Sequence, residues 1–293
     1  MILVVGATGT LGGEICRLLR VRGMDVRALV RETSSPERVA ALKDLGAELT
    51  TGDLRSRPSL EAACRGVAAV VSTATAIHSA GRDGNSLETV DAQGQLDLIE
   101  SAERAGVKRF VLISFPPVDA DFPLQTAKRA VEHRLRHGTM AYTILQPTFF
   151  MEVWLSPALG FDPAASRARL YGNGRNPISW ISFKDVARFA VAALDAPSAK
   201  NLTVRLGGPE ALSPLAVVHL AEQATGRSLS VDHVAEDALR AQLKAATDSM
   251  QQTFAGLMLY YAHGEAIDMA TPLQTFPIGR LTSVSEYFAR LQE

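Results

Sequence analysis

Two cysteines, Cys16 and Cys64, are all that 293 residues contain. A disulfide scaffold is thereby excluded, and no Cys/His spacing resembles a metal site, so no metal is expected. Both cysteines fall within predicted helices and read as buried, inert thiols. The six histidines (78, 133, 137, 219, 233 and 263) show no paired spacing and read as surface or capping groups. Excess charge is also missing: 30 Lys and Arg stand against 31 Asp and Glu, a formal net charge of −1. Neither basic residue type clusters, so a nucleic acid or an anionic membrane finds no bulk attraction here. Long apolar runs are absent too. The longest, such as Val67 to Ile77, are shorter than the roughly 20 residues of a bilayer-spanning helix. The N-terminus carries no basic n-region or cleavage site, and a cytoplasmic, reducing compartment is expected. There is no internal repeat and no low-complexity segment. A hydrophobic content of 47% with 21% charged residues is that of a globular chain. Its length allows one large domain or a domain with a smaller lobe.

What is present is concentrated at the start. The apolar, β-branched run beginning at Ile2 breaks into three glycines, Gly6, Gly9 and Gly12, spaced G-x-x-G-x-x-G. An amphipathic segment follows, with Leu11, Ile15, Leu18 and Leu19 at helical spacing. Strand, glycine turn and helix in that order form a site for a dinucleotide pyrophosphate. Gly6 permits the tight turn, Gly9 lets the backbone approach the phosphates, and Gly12 lets helix and strand pack closely. The exposed amides at the helix start, around Thr8, Thr10 and Leu11, face the negative charge.

Strands and helices alternate through the first half. The expected strands are Ile2–Val5, Val26–Val30, Glu48–Thr50, Ala68–Thr73, Arg109–Ser114 and Tyr142–Leu145. The helices between them are Glu14–Arg22, Glu37–Leu45, Ser59–Cys64, Ser86–Ala105 and Leu124–His137. Such alternation calls for parallel strands joined by right-handed helical crossovers. Nearly continuous apolar strands imply a sheet covered on both faces. The fold class is therefore α/β, a doubly wound parallel Rossmann sheet with a smaller, mostly helical C-terminal lobe. Residues 1–155 form the dinucleotide-binding domain and 156–293 the substrate or partner lobe, with 178–206 returning to the sheet. Within the latter part, 156–177 reads as a Gly- and Pro-rich excursion and Ile178–Ser182 as a strand. Lys184–Leu194 reads as a helix and Leu202–Leu206 as a strand. Ser213 and Pro214 open a helix running to Thr225. Helical stretches near 235–245 and 248–262 follow, and Ser283 with Glu286 forms a capping box for the last helix.

The residue ending the second strand tests the adenosine ribose: an acid bonds a free 2′-hydroxyl, whereas an arginine accommodates a 2′-phosphate. Arg31 stands there, followed by Glu32, Thr33 and Ser34. NADP(H) is favoured over NAD(H), with Glu32 as the residue that would favour a free ribose. Asp53, next to Leu54, follows the third strand where the adenine amine would lie, although Asp after Gly52 is also ordinary turn chemistry. Thr73, Ala74 and Thr75 end the fourth strand with the small side chains a closely approaching cofactor requires.

These segments resemble a known group. Val5-Gly-Ala-Thr-Gly-Thr-Leu-Gly12, Leu29-Val-Arg31, Gly52-Asp-Leu54 and Ala105-Gly-Val-Lys-Arg-Phe-Val-Leu-Ile-Ser114 look like the NmrA-like atypical short-chain dehydrogenase/reductases. Lys128, Tyr142-Thr-Ile-Leu-Gln-Pro147, Ile181-Ser-Phe-Lys-Asp-Val-Ala187 and Ser283-Val-Ser-Glu-Tyr-Phe288 extend the likeness over nearly the whole chain. The resemblance implies catalytic roles for Lys128 and Ser114. It implies contact of Pro147, Thr148, Phe149 and Phe150 with the nicotinamide end. Gln146 stands where many relatives show arginine. Ordinary short-chain dehydrogenases carry Tyr-x-x-x-Lys, the lysine lowering the tyrosine pKa. Leu124 holds that tyrosine's place here. Lys128 is then read in three ways: acid/base and ribose ligand, ribose ligand alone, or one solvated charge among Arg129 and Arg134.

Two functions follow. The first is an NADP(H)-dependent oxidoreductase reducing a small quinone, carbonyl or conjugated acceptor. The second is a non-catalytic NADP(H)-binding sensor, regulator or assembly factor, which the missing tyrosine favours. Partners are a small-molecule substrate or a regulated protein, with the chain a monomer or homodimer. Met250, Met258 and Met269 suggest an adaptable apolar surface in the C-terminal lobe.

Overall fold

The computed structural model describes residues 1–77 and 79–291, and His78 lies outside the described residues. Seven parallel strands form the main sheet: β1 (Ile2–Val5), β2 (Val26–Val30), β3 (Glu48–Thr51), β4 (Ala69–Ser72), β5 (Arg109–Ile113), β6 (Ala141–Pro147) and, from much later in the chain, β9 (Leu202–Leu206). Their order is β3-β2-β1-β4-β5-β6-β9, a Rossmann arrangement whose strand order reverses between β1 and β4. The register is set by apolar side chains alternating across the sheet. Ile2 and Val4 of β1 face one core cluster, whereas Leu3 and Val5 face the other. Val111 and Ile113 of β5 likewise oppose Phe110 and Leu112.

Helices close both faces. On one lie α1 (Thr10–Val21), α2 (Pro36–Asp44) and α7 (Phe183–Asp195), where Ile15, Cys16 and Leu19 share a cluster with Val186, Phe189 and Ala190. On the other lie α3 (Arg57–Cys64), α4 (Gln93–Arg104) and α5 (Pro123–Arg136), burying Leu60, Leu98, Ile99 and Val131. Each such fully buried Leu, Ile or Phe contributes about 1.5–3 kcal/mol relative to exposure. Cys16 and Cys64 are buried free thiols, one on each face. Burial pushes them up to about 12 and about 11 respectively.

The segment expected as one helix from Ser86 to Ala105 is two pieces. A π-helical turn, Leu87–Ala92, precedes α4, and Ser86 caps it in a capping box with Thr89. Ile178–Ser182 is not a strand. Its amides are satisfied by three separate segments: Ile178 N donates to Leu212 O, Ser179 N to Glu265 O, and Ile181 N to Phe149 O. Burial of Ile178, Trp180 and Ile181 explains the apolar run without a ladder.

The C-terminal half holds a third core. A three-stranded sheet of β7 (Phe161–Asp162), β8 (Arg167–Tyr171) and β10 (Ser230–Val234), in the order β10-β8-β7, packs among helices. These include α6 (Met151–Trp154), α8 (Pro214–Thr225), α9 (Glu236–Ala245), α10 (Ser249–His263) and α12 (Val284–Arg290), whereas α11 (Ala270–Thr275) packs against the main sheet at β9. The expected Gly- and Pro-rich excursion thus contains two strands. The caps read from sequence are in place: Ser213 Oγ accepts from Ala216 N, and Ser283 Oγ from Glu286 N.

Candidate functional site

A cleft of about 880 Å³ opens at the carboxyl ends of β1 and β4 and runs past β5 and β6 to α10. Gly6, Thr8, Gly9, Thr10, Leu11, Gly12, Arg31, Asp53, Leu54, Thr73, Ala74, Thr75, Ser114, Lys128, Pro147, Thr148, Phe149 and Phe150 all line it. The residues expected from sequence to hold the cofactor or act in catalysis therefore share one continuous surface, which Glu32 and Gln146 do not line.

The glycine turn is built by close backbone approach. Gly6 sits at φ +84°, and a Cβ there would lie 2.6 Å from Thr73 Oγ1. A Cβ on Gly12 would lie 2.2 Å from the Gly6 carbonyl oxygen, so α1 packs against the turn only because Gly12 has none. Gly9 supplies no capping side chain, and the first turn of α1 holds no acid. The first intrahelical bond runs from Gly13 N to Gly9 O, leaving the amides of Thr10, Leu11 and Gly12 free for an anion. Arg38, which the sequence reading passed over, clasps the turn by donating to the Thr8 carbonyl at 2.7 Å.

Arg31 and Ser34 line the cleft at the tip of β2, and Ser34 Oγ accepts from Arg31 N at 3.0 Å. Glu32 is exposed and does not line the cleft. Asp53 lines the cleft, and its carboxylate accepts from the Arg55 amide and side chain at 2.8–2.9 Å, the turn chemistry open to Asp after Gly52. The hydrogen-bonded Arg55 guanidinium holds its carboxyl below the usual carboxylate range. Arg55 also reaches across to the Asp83 carbonyl.

Further along, Lys128 is 6% exposed, which removes the reading of a solvated charge. Its Nζ lies 3.3 Å from Oδ1 of Asp91, a residue with no exposure at all. The other oxygen of Asp91 accepts from Ala76 N at 2.8 Å. That carboxylate sits on the π-helical turn, a distortion that aims a side chain inward. Nothing in the sequence marked Asp91, because an acid in a polar helix reads as a solvated face. Leu124 lines the cleft one turn before Lys128, where the tyrosine of Tyr-x-x-x-Lys would stand. Ser114 is buried, and its Oγ accepts from Arg129 Nη2 at 3.1 Å. Arg129 in turn pairs with Glu132 at 3.0 Å, and Gln146 Nε2 donates to the same Glu132 at 2.9 Å. Gln146 therefore completes a buried network rather than facing an anion.

The far wall is apolar. Phe149 is 2% exposed and packs edge-on to Trp154, with ring centroids 4.9 Å apart, and on Tyr260 at 4.6 Å. Phe150, Trp154, Leu159, Phe254, Leu257 and Met258 continue the surface. Glu152 also lines the cleft. Desolvation pushes its carboxyl above the usual range, against hydrogen bonds from Ser182 Oγ at 2.5 Å and Phe183 N at 3.1 Å. The histidines at 133, 137, 219, 233 and 263 are exposed. Among the described residues no group of three His, Cys, Asp or Glu converges, and no helix is long and apolar enough to cross a membrane.

Comparison with known proteins places the chain. The NmrA-like family model matches residues 1–288, and the chain belongs to that family. The photosystem II assembly factor Ycf39 of Trieres chinensis is 33% identical over 240 residues, 80% of this chain and 72% of that protein. The NAD(P)H azoreductase of Xenophilus azovorans is 33% identical over 229 residues, 78% of this chain and 74% of that one. In structure, the NADPH complex of the quinone oxidoreductase QOR2 from Escherichia coli matches with a TM-score of 0.80, covering 100% of both chains at 20% identity, a likeness of fold.

Proposed function

We propose that this member of the NmrA-like family is an NADP(H)-dependent oxidoreductase that reduces a small quinone, carbonyl or conjugated acceptor. The observation that carries the reading is the continuity of the cleft. It begins at bare helix amides, passes the buried Lys128–Asp91 pair, and ends on an aromatic wall. The amides past Gly9 hold the pyrophosphate, and Arg31 with Ser34 takes the 2′-phosphate. Bound along this path, the reduced nicotinamide supplies the hydride, while the protein supplies placement. Lys128, fixed by Asp91, bonds the nicotinamide ribose and delivers the proton the acceptor needs. Ser114, oriented by Arg129, polarises the acceptor. Pro147 to Phe150 exclude water from the transfer path, and residues beyond 155 shape the acceptor pocket. The azoreductase relative and the quinone oxidoreductase neighbour, each named for a reductase, agree with this reading.

A second reading rests on Leu124: without a phenol beside Lys128, the chain could bind NADP(H) and act through a protein partner, as a relative named an assembly factor suggests. The two separate in one experiment. NADPH oxidation with a panel of quinones, azo dyes and aldehydes should show turnover that Lys128→Ala abolishes. Tight NADPH binding with no turnover across the panel supports the second reading instead.

A further inference from the structure

The acceptor half of the cleft contains one feature that the reductase reading does not use. Tyr260 lines the cleft from α10 and is 5% exposed. Its ring lies against Phe149, yet its hydroxyl is buried and has no hydrogen-bond partner among the described residues. A buried hydroxyl left unpaired costs free energy, so such a group calls for a partner, an ordered water or a bound ligand, to complete it. A second observation points the same way. Arg129 is anchored by Ser114 Oγ and the Phe115 carbonyl, both on the cleft wall, while its Nε and Nη1 are buried without partners. The charged groups near the Tyr260 hydroxyl are ion-paired: Arg129 with Glu132 at 3.0 Å and Arg205 with Glu265 at 3.4 Å. Around this polar spot the wall is apolar, formed by Phe150, Trp154, Phe254, Leu257 and Met258.

We infer that Tyr260 is the specificity-determining donor of the acceptor pocket, selecting flat apolar molecules that present a carbonyl-type oxygen to its hydroxyl. The apolar wall alone would bind any hydrocarbon of the right shape. The phenolic O–H, buried with no acceptor among the described residues, discriminates in favour of a quinone or ketone oxygen, which accepts. This rests on the proposed reductase reading for the identity of the pocket, but not for its test.

The test compares menadione with 2-methylnaphthalene, the same ring system without oxygens, by equilibrium dialysis against wild type and Tyr260→Phe. Samples are run with and without saturating NADP+, the oxidised form, so that nothing turns over. Removing one donor is expected to raise the Kd of menadione about tenfold, with that of 2-methylnaphthalene changing less than about twofold. The melting temperature of Tyr260→Phe is expected to equal or exceed that of wild type, since the hydroxyl has no internal partner to lose. Equal shifts for both compounds, no shift for either, no uptake of menadione by wild type, or a fall of several degrees in melting temperature would each overturn the assignment. Failure of wild type to take up NADP+ would sink the cofactor reading instead, and the coenzyme-free dialysis would still decide the role of Tyr260.

Discussion

Alanine at Gly12 is expected to destabilise the protein, and alanine one residue later, at Gly13, to stabilise it. The new Cβ at position 12 would meet Gly6 O at 2.2 Å, Gly6 C at 2.7 Å and Ala7 Cα at 3.0 Å. All three are backbone atoms of the turn, which cannot rotate away. Helix α1 would have to lift from the sheet, disturbing a face where Ile15, Cys16 and Leu19 are fully buried. Overpacking of this kind costs about 1–3 kcal/mol, and the contact distances put it at the upper end. Alanine gains at most about 1 kcal/mol over glycine in a helix, leaving a net loss of about 2 kcal/mol. At position 13 the nearest atom to a Cβ is Ala7 O at 3.5 Å, an ordinary contact. The helix preference is then realised in full. Urea unfolding followed by circular dichroism should therefore order the midpoints Gly13→Ala, wild type, Gly12→Ala. The variants differ by about 3 kcal/mol, a separation on the order of 1 M urea. NADPH affinity should fall with Gly12→Ala and persist with Gly13→Ala. A Gly12→Ala protein as stable as wild type would refute the packing described here.

Three further outcomes are expected. Asp91→Ala should cost about 3–5 kcal/mol because it strands a buried ammonium. Adding Lys128→Met should recover part of that loss, and strictly additive costs in a denaturation cycle would contradict direct pairing. Native protein should give essentially no reaction with a thiol reagent at pH 8, since Cys16 and Cys64 are buried and pushed to about 12 and about 11. Urea should expose both, and a rapid native reaction would contradict their burial. The Glu152 carboxyl is raised by desolvation, so the stability it adds is present below its unfolded pKa and lost as pH rises through the folded one. The stability of wild type relative to Glu152→Gln should thus fall as pH rises above the ordinary glutamate value of about 4.3, and a difference that stays flat or rises would contradict the shift.

Much of the architecture was legible because its causes are local. Parallel strands buried on both faces leave unbroken apolar runs, as in Phe110 to Ile113, and position 12 must be glycine because a Cβ there would lie 2.2 Å from Gly6 O. Ser213 and Ser283 announced their helices by capping chemistry. What escaped depends on partners distant in sequence. Strand β8 does alternate, with Arg167 and Arg169 exposed and Ala168 and Leu170 buried, but its mates are the two-residue β7 and the mostly exposed β10. Ile178 to Ser182 carries strand-like composition because it is core, not because it pairs in a ladder. The cleft shows the same division. Gly6 to Gly12, Arg31 and Lys128 could be read singly, whereas Asp91 and Tyr260 gain meaning only from the side chains the fold sets beside them.

The central claim, that the turn past Val5 seats the diphosphate of NADP(H), is tested most directly by calorimetric titration of the purified protein with NADPH and NADH. Saturable uptake of one NADPH per chain is expected. NADH should bind more weakly, and Arg31→Ala should erase most of that difference, a loss of about 1.5–3 kcal/mol for a charged hydrogen bond. A well-folded sample that takes up neither nucleotide would contradict the account at its root.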